Sequence, residues 1–239
     1  MPPVIDLAEK LVQIAPGELS RPYFVNSGSE AVDTAIKMVW YYHNAIGKPA
    51  KKKIISRKRA YHGVTVAAGS LTALPYAQDG FDLPIDRILH TDTPCFYRNG
   101  EEGESEEDFA TRLADNLDKQ IESEGPDTVG GFIAEPVMGA GGVMLPPKTY
   151  FEKIQKVLKK HSVLMIADEV ICGFGRTGQM WGCDTYNIKP DLLTCAKQLS
   201  SAYLPIGAVM VTEPVYEAFV EHSRKLGIFG TGNTYGGHP

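Results

Sequence analysis

Apolar side chains recur along this chain with two different periods. Short apolar or alternating runs lie at 21–27 (RPYFVNS), 52–57 (KKIISR), 128–136 (TVGGFIAEP), 162–170 (SVLMIADEV), 191–196 (DLLTCA) and 206–212 (IGAVMVT), and each reads as one strand. Between several of them the spacing is helical. Val4, Ile5, Leu7, Ala8, Leu11, Val12 and Ile14 repeat with helical spacing near the start. Over 29–46, Val32, Ala35, Ile36, Val39 and Trp40 do the same, with Ser29 as the expected N-cap, Glu30 and Asp33 in the first turn, and Gly47 and Pro49 behind. Residues 148–161 (KTYFEKIQKVLKKH) form a third such stretch, with basic residues gathered at its C-terminal, dipole-negative end. Strands alternating with helices predict an α/β fold, a mostly parallel sheet flanked by helices. The segment 99–108 (NGEEGESEED) has no periodicity and predicts a loop whose only task is to stay wet.

Composition narrows the function classes. Apolar residues make up 43% and charged residues 22% of 239, ordinary values for a folded chain that buries a sizeable core. With 24 basic against 29 acidic residues and no basic stripe between aromatic platforms, nucleic acid is not an expected partner. The densest basic run, Lys51-Lys52-Lys53 followed by Arg57-Lys58-Arg59, reads as a solvated strand entrance. Cys95, Cys172, Cys183 and Cys195 show no metal-site spacing, so four reduced thiols in a cytoplasmic protein, and no metal centre, are expected. The N-terminus lacks the basic start and continuous apolar core of a secretory signal, and no run approaches a membrane span. Neither an internal repeat nor a low-complexity linker divides the chain, which predicts one domain over 1–239. TGNTYGGHP closes on a proline in a turn-like stretch, as if more chain were to follow.

Four places can carry chemistry. Lys197 follows DLLTCA, at the carboxyl end of a strand, where open α/β sheets place their ligands. Its amine either snorkels to solvent or, desolvated, attaches a carbonyl. Asp168 and Glu169 end another apolar strand, where a carboxylate needs a cation or hydrogen-bond donors, either for a ring nitrogen or for a turn cap. Ser27, Gly28 and Ser29 join a strand to a helix start, which is either a simple cap or a phosphate cup. Tyr61, His62 and Gly63 offer an aromatic face and a glycine past which backbone can run closely, and Tyr61 alone is equally an ordinary core residue. Together these supply an amine, a ring-nitrogen partner, a phosphate cup and a ring platform, the contacts pyridoxal 5′-phosphate needs.

At this point the chain resembles the class III pyridoxal-phosphate aminotransferases, in particular the omega-amino acid:pyruvate type. FVNSGSEAVDTAIKMVW, AYHGVTVAAGSL, FIAEPVMGAGGV, LMIADEVICGFGRTG, PDLLTCAKQLSSAYLPIGAV and TYGGHP carry the resemblance, in the family's order and over nearly all the chain from residue 21. It implies the large domain of a fold-type I enzyme acting as a homodimer on a small amine donor and an oxo acid such as pyruvate. It further implies that Lys197 is the Schiff-base lysine, that Asp168 pairs with the pyridinium nitrogen, and that Tyr61 stacks on the ring within the Tyr61-His62-Gly63 motif. Ser27, Gly28 and Ser29 are implied to hold the phosphate, with Thr234 reaching the phosphate of a neighbouring subunit. Val170 is implied on the other ring face, Glu135 beside the cofactor and Trp181 in the substrate-side wall. Gln198 and Ala202 stand where many members have glycine, and Thr231-Gly232-Asn233 replaces a commoner His-Gly-aromatic segment. The family also has an N-terminal segment and a C-terminal small domain that fall outside this numbering. A catalytically weak fragment that binds cofactor or a partner, a 4-aminobutyrate-type transaminase and an aminomutase are the alternatives.

Overall fold

The six predicted strands and one that the pattern did not predict, over Ile88–Thr91, assemble into one sheet in the computed structural model, which describes residues 2–238. They are β1 (Leu19–Val25), β2 (Lys53–Arg57), β3 (Ile88–Thr91), β4 (Val129–Ala134), β5 (Leu164–Asp168), β6 (Leu192–Cys195) and β7 (Gly207–Thr212), in the spatial order β1-β7-β6-β5-β4-β2-β3. Pairings among β3, β2, β4, β5 and β6 are parallel, while β7 runs antiparallel to both β6 and β1. All strands except β7 therefore point the same way. The carboxyl ends of β1, β2, β4, β5 and β6 share one edge, and the candidate residues follow those ends.

Alternation along the strands divides the core into two layers. Met165, Ala167, Leu193, Cys195 and Met210 face Phe109, Leu117, Phe151 and Ile154 of the helices Glu106–Glu124 and Tyr150–Lys160. Leu164, Ile166, Leu192, Val209 and Val211 face Val32, Ile36 and Val39 of the helix Gly28–Ala45. That helix starts where the pattern predicted, but its N-cap is Ser27 rather than Ser29: the Ser27 hydroxyl accepts from Glu30 N–H at 3.2 Å. No helix among the described residues is long and apolar enough to cross a membrane.

Two residues of the basic run are not solvated. Lys51 is 1% exposed, and its ammonium donates to the carbonyls of Pro126, Val129 and His161, each at 2.9 Å. Burial is the main cause pulling its pKa below the usual lysine range, with Lys48 nearby adding to it. Arg57 is wholly buried at the end of β2, donating to the Glu135 carbonyl at 2.6 Å. A run of basic letters hides such a site because its acceptors come from distant segments. The charged loop is also more than wet, since Arg112 grips the Glu104 carboxylate with two hydrogen bonds of 2.7 Å.

His43 supplies a pH-dependent stability. Its ring is 1% exposed, Nε2–H donates to the Gly130 carbonyl at 2.9 Å, and Nδ1 is buried with no partner. Protonation would place an unsatisfied N–H inside, so burial lowers this imidazole from 6.5 to about 4, with Lys51, Lys52 and Lys48 contributing. The unfolded chain binds the extra proton between those values, so stability falls as pH drops through that window, by about 3 kcal/mol in all. Urea unfolding of the wild type should show this loss and His43→Gln a flatter profile. An unchanged profile in the variant assigns the loss to other groups.

Candidate active site

Five strand ends converge on one pocket at the carboxyl edge of the sheet. From β1 and the helix behind it come Ser27, Gly28 and Ser29; the segment after β2 brings Tyr61, His62 and Gly63. β4 leads to Glu135, β5 ends in Asp168 with Val170 just beyond, and β6 leads to Lys197. All ten line the same pocket.

The Ser27-Gly28-Ser29 turn has the features of an anion cup. Gly28 and Ser29 open the helix, where backbone N–H groups lack intrahelical partners and the dipole is positive. The Ser27 and Ser29 hydroxyls accept from Glu30 N–H and Val64 N–H, which leaves each hydroxyl hydrogen free to donate. A Cβ on Gly28 would sit 3.1 Å from Val170 Cγ1, so cup and Val170 are already in contact.

Gly63 lets the Tyr61-His62-Gly63 segment reach the cup. Its φ is +134°, and a Cβ there would lie 2.5 Å from Ser29 Oγ. Thr72 fastens the segment, with its hydroxyl accepting from His62 N–H at 2.8 Å and donating to the Gly63 carbonyl at 2.9 Å. Gly63→Ala should lower stability by more than about 1 kcal/mol and weaken cofactor retention. Gly47→Ala, at a left-handed site with nothing within 4 Å, should cost less. Equal urea midpoints for the two variants would remove crowding against Ser29 as the cause.

The two carboxylates of the Asp-Glu pair separate by strand alternation. Asp168, 3% exposed, turns to the pocket: Oδ2 accepts from His62 Nδ1–H at 2.7 Å, and Oδ1 from Val170 N–H at 3.1 Å and Thr194 Oγ1–H at 3.2 Å. Glu169 turns away and accepts from Gly182 N–H and Cys183 N–H at 3.0 and 2.6 Å, capping the helix Gly182–Tyr186. Asp168 therefore caps a turn while its carboxylate also faces the pocket. Glu135 is buried, and its oxygens take the amides of Tyr61 at 3.1 Å and Gly139 at 2.9 Å, anchoring the segment that carries the aromatic ring. Burial is the main cause raising its pKa, opposed by His62, Arg57 and the Gly139 amide.

Two expectations change. Lys197 is exposed rather than desolvated: it stands on the pocket rim at the start of a 3₁₀ turn, with a left-handed φ of +39°. Strain of this kind gathers at functional sites. Trp181 lies outside the pocket wall, since its indole is fully buried, meets Phe174 in a tilted contact at 4.7 Å and donates to the Ile14 carbonyl within the same core layer. Thr234, expected to serve a neighbouring subunit, is exposed and lies outside this chain's own pocket. Ala202 has a φ of +67°, a left-handed conformation that costs an alanine more than it would a glycine.

Thr72 and Thr194 went unread in the sequence. For Thr194 a signal existed: one hydroxyl in an otherwise apolar strand must find a partner. The residues present fit pyridoxal 5′-phosphate, with an anion cup, a buried carboxylate, an aromatic side chain and a primary amine around one cavity.

Comparison with known proteins agrees with this geometry. The whole chain, residues 1–239, matches the family described as Aminotransferase class-III. Among curated relatives, gamma aminobutyrate transaminase 3 (chloroplastic) of Solanum lycopersicum is 56% identical over 99% of this chain and 46% of its own length. Probable gamma-aminobutyrate transaminase 2 (mitochondrial) of Oryza sativa subsp. indica is 58% identical over 99% of this chain and 48% of its own. The chain thus spans about half the length of the curated relatives it matches. Among solved structures, a transaminase with L-alanine superposes with a TM-score of 0.97 at 63% identity, covering 99% of this chain and 56% of that one. The omega transaminase of Pseudomonas jessenii in complex with PMP gives 0.98 at 58% identity, covering 99% and 52%.

Proposed function

The chain belongs to the class-III aminotransferases, and from that premise we propose that it holds pyridoxal 5′-phosphate in the pocket at the sheet edge and moves an amino group from an amine donor to an oxo acid. The observation that carries this reading is the meeting of Lys197, Asp168 and the Ser27-Gly28-Ser29 cup around one cavity. When bound, the cofactor supplies an aldehyde that condenses with amines and a pyridine ring that accepts electrons from the adjacent carbon.

The chain's own residues divide the remaining work. Ser27, Gly28 and Ser29 hold the phosphate with hydroxyls and helix N–H groups. Tyr61 and Val170 confine the ring, with His62 and Gly63 setting how Tyr61 enters and Glu135 anchoring that segment. The Asp168 carboxylate keeps a proton on the ring nitrogen, because a buried anion favours a cationic neighbour. Lys197 Nζ would hold the aldehyde, and its amine would take and return a proton at the donor's carbon. Thr234 contributes to the phosphate site of a second copy, so the complete site is dimeric. Four free, buried cysteines support a reducing compartment such as the cytoplasm.

Two donor classes are to be tested, 4-aminobutyrate, after which the curated relatives are named, and amines, for which an omega transaminase of known structure was engineered. Each is to be offered to the cofactor-loaded chain with pyruvate while alanine is measured. Alanine from either donor supports the reading and identifies the class. Bound cofactor with no alanine from any donor supports instead a fragment that binds without exchanging amino groups.

A further inference from the structure

An ionised carboxylate has about four acceptor positions, two on each oxygen. On Asp168, Oδ1 is filled by Val170 N–H and Thr194 Oγ1–H, while Oδ2 receives His62 Nδ1–H. Among the described residues one position is unclaimed, and it lies on Oδ2. Thr194 is fully buried in β6 between Leu193 and Cys195, where a hydroxyl is costly unless bonded. Its place follows from the sheet: Thr194 is the register partner of Asp168, so both side chains stand on one face. The Thr194 carbonyl also accepts from Glu169 N–H at 2.8 Å, which ties the two strand ends by main chain as well. Lys197 leaves the same strand three residues later.

We propose that Thr194 is a positioning residue for Asp168: by filling Oδ1 together with the Val170 amide, it turns Oδ2, the oxygen shared with His62, toward the cofactor's ring nitrogen. This rests on the role given to Asp168 above. It makes β6 responsible for both the amine and the orientation of the opposing carboxylate.

The test compares wild type, Thr194→Val, Thr194→Ser and Asp168→Asn in the 239-residue chain. In the cofactor-free protein, NMR follows the His62 Nδ1 proton, which Thr194 does not touch and reaches only through Asp168. Thr194→Val should move that resonance, because Oδ2 becomes the stronger acceptor when Oδ1 loses a donor, and Thr194→Ser should leave it in place. With pyridoxal 5′-phosphate added, Thr194→Val should bind about tenfold more weakly, the scale of one hydrogen bond to a charged group, while Thr194→Ser stays within about twofold.

A wild-type resonance and affinity in Thr194→Val overturn the proposal. So does Thr194→Ser behaving like Thr194→Val, which would assign the effect to the methyl group's packing. If Asp168→Asn keeps full cofactor affinity while Thr194→Val still moves the His62 signal, the ring-nitrogen reading fails and the positioning of Asp168 stands alone, without its target. Should Thr194→Val not fold, Thr194→Cys carries a weaker donor at nearly the same size. It should then give an intermediate shift, and no shift there overturns the proposal too.

Discussion

Lys197→Ala should abolish amino transfer while leaving the chain folded. The residue is exposed on the pocket rim, so its loss removes little packing. What it removes is the only amine among the described pocket-lining residues, and with it the proposed attachment point for the aldehyde and the proposed proton carrier. General acid–base catalysis alone contributes about 10²- to 10⁴-fold, and loss of the covalent attachment adds to that, so turnover should fall by at least about 10³-fold. Noncovalent cofactor binding should persist, because the cup and Asp168 are untouched. Steady-state alanine formation and a cofactor dissociation constant, measured side by side, check both halves. A variant that retains normal turnover would remove Lys197 from the chemistry.

Asp168→Asn should have the second-largest effect, about a hundredfold or more on turnover. The carboxylate is buried, and replacing a buried anion by a neutral isostere removes the charge that keeps a proton on the ring nitrogen. Breaking such a buried charge pair typically costs about 3–5 kcal/mol, and each 1.36 kcal/mol is about a factor of ten in rate. The asparagine carbonyl can still serve Thr194 and Val170, but its amide then faces His62 Nδ1–H, donor against donor. The imidazole must change tautomer or turn away. Affinity for pyridoxal 5′-phosphate should therefore drop together with turnover. Unchanged kinetics in this variant would contradict the ring-nitrogen role.

Much of this site can be read in the letters because its residues sit at strand ends, and strand ends are where local patterns are clearest. DLLTCA followed by Lys197, and SVLMIA followed by Asp168, are each an apolar run broken by one charge. What the letters do not contain is direction. Asp168 and Glu169 are neighbours of the same chemistry, and only the strand's two-residue alternation sends one to the pocket and the other to a helix cap. Ser27 and Ser29 are likewise both plausible caps, separated by the observed bond to Glu30 N–H.

Lys51 and Trp181 were beyond reach for a different reason. The three carbonyls that receive the Lys51 ammonium lie 75, 78 and 110 residues away in sequence. Trp181 docks on Ile14, 167 residues distant. Burial of that kind is a property of the closed fold. The exposure of Lys197 has the opposite origin: the side of the pocket where it stands is lined by the strained 200–206 segment and open to solvent, so an apolar run leading into the lysine says nothing of how well it is covered.

The most direct test of the central claim is chemical trapping. The chain is mixed with pyridoxal 5′-phosphate, reduced with borohydride, digested and mapped by mass spectrometry. A pyridoxyl group confined to Lys197, with the other lysines unmodified, is the predicted result. Modification spread over exposed lysines, or a label centred on any other residue, would contradict the assignment of the pocket at the sheet edge as the cofactor site.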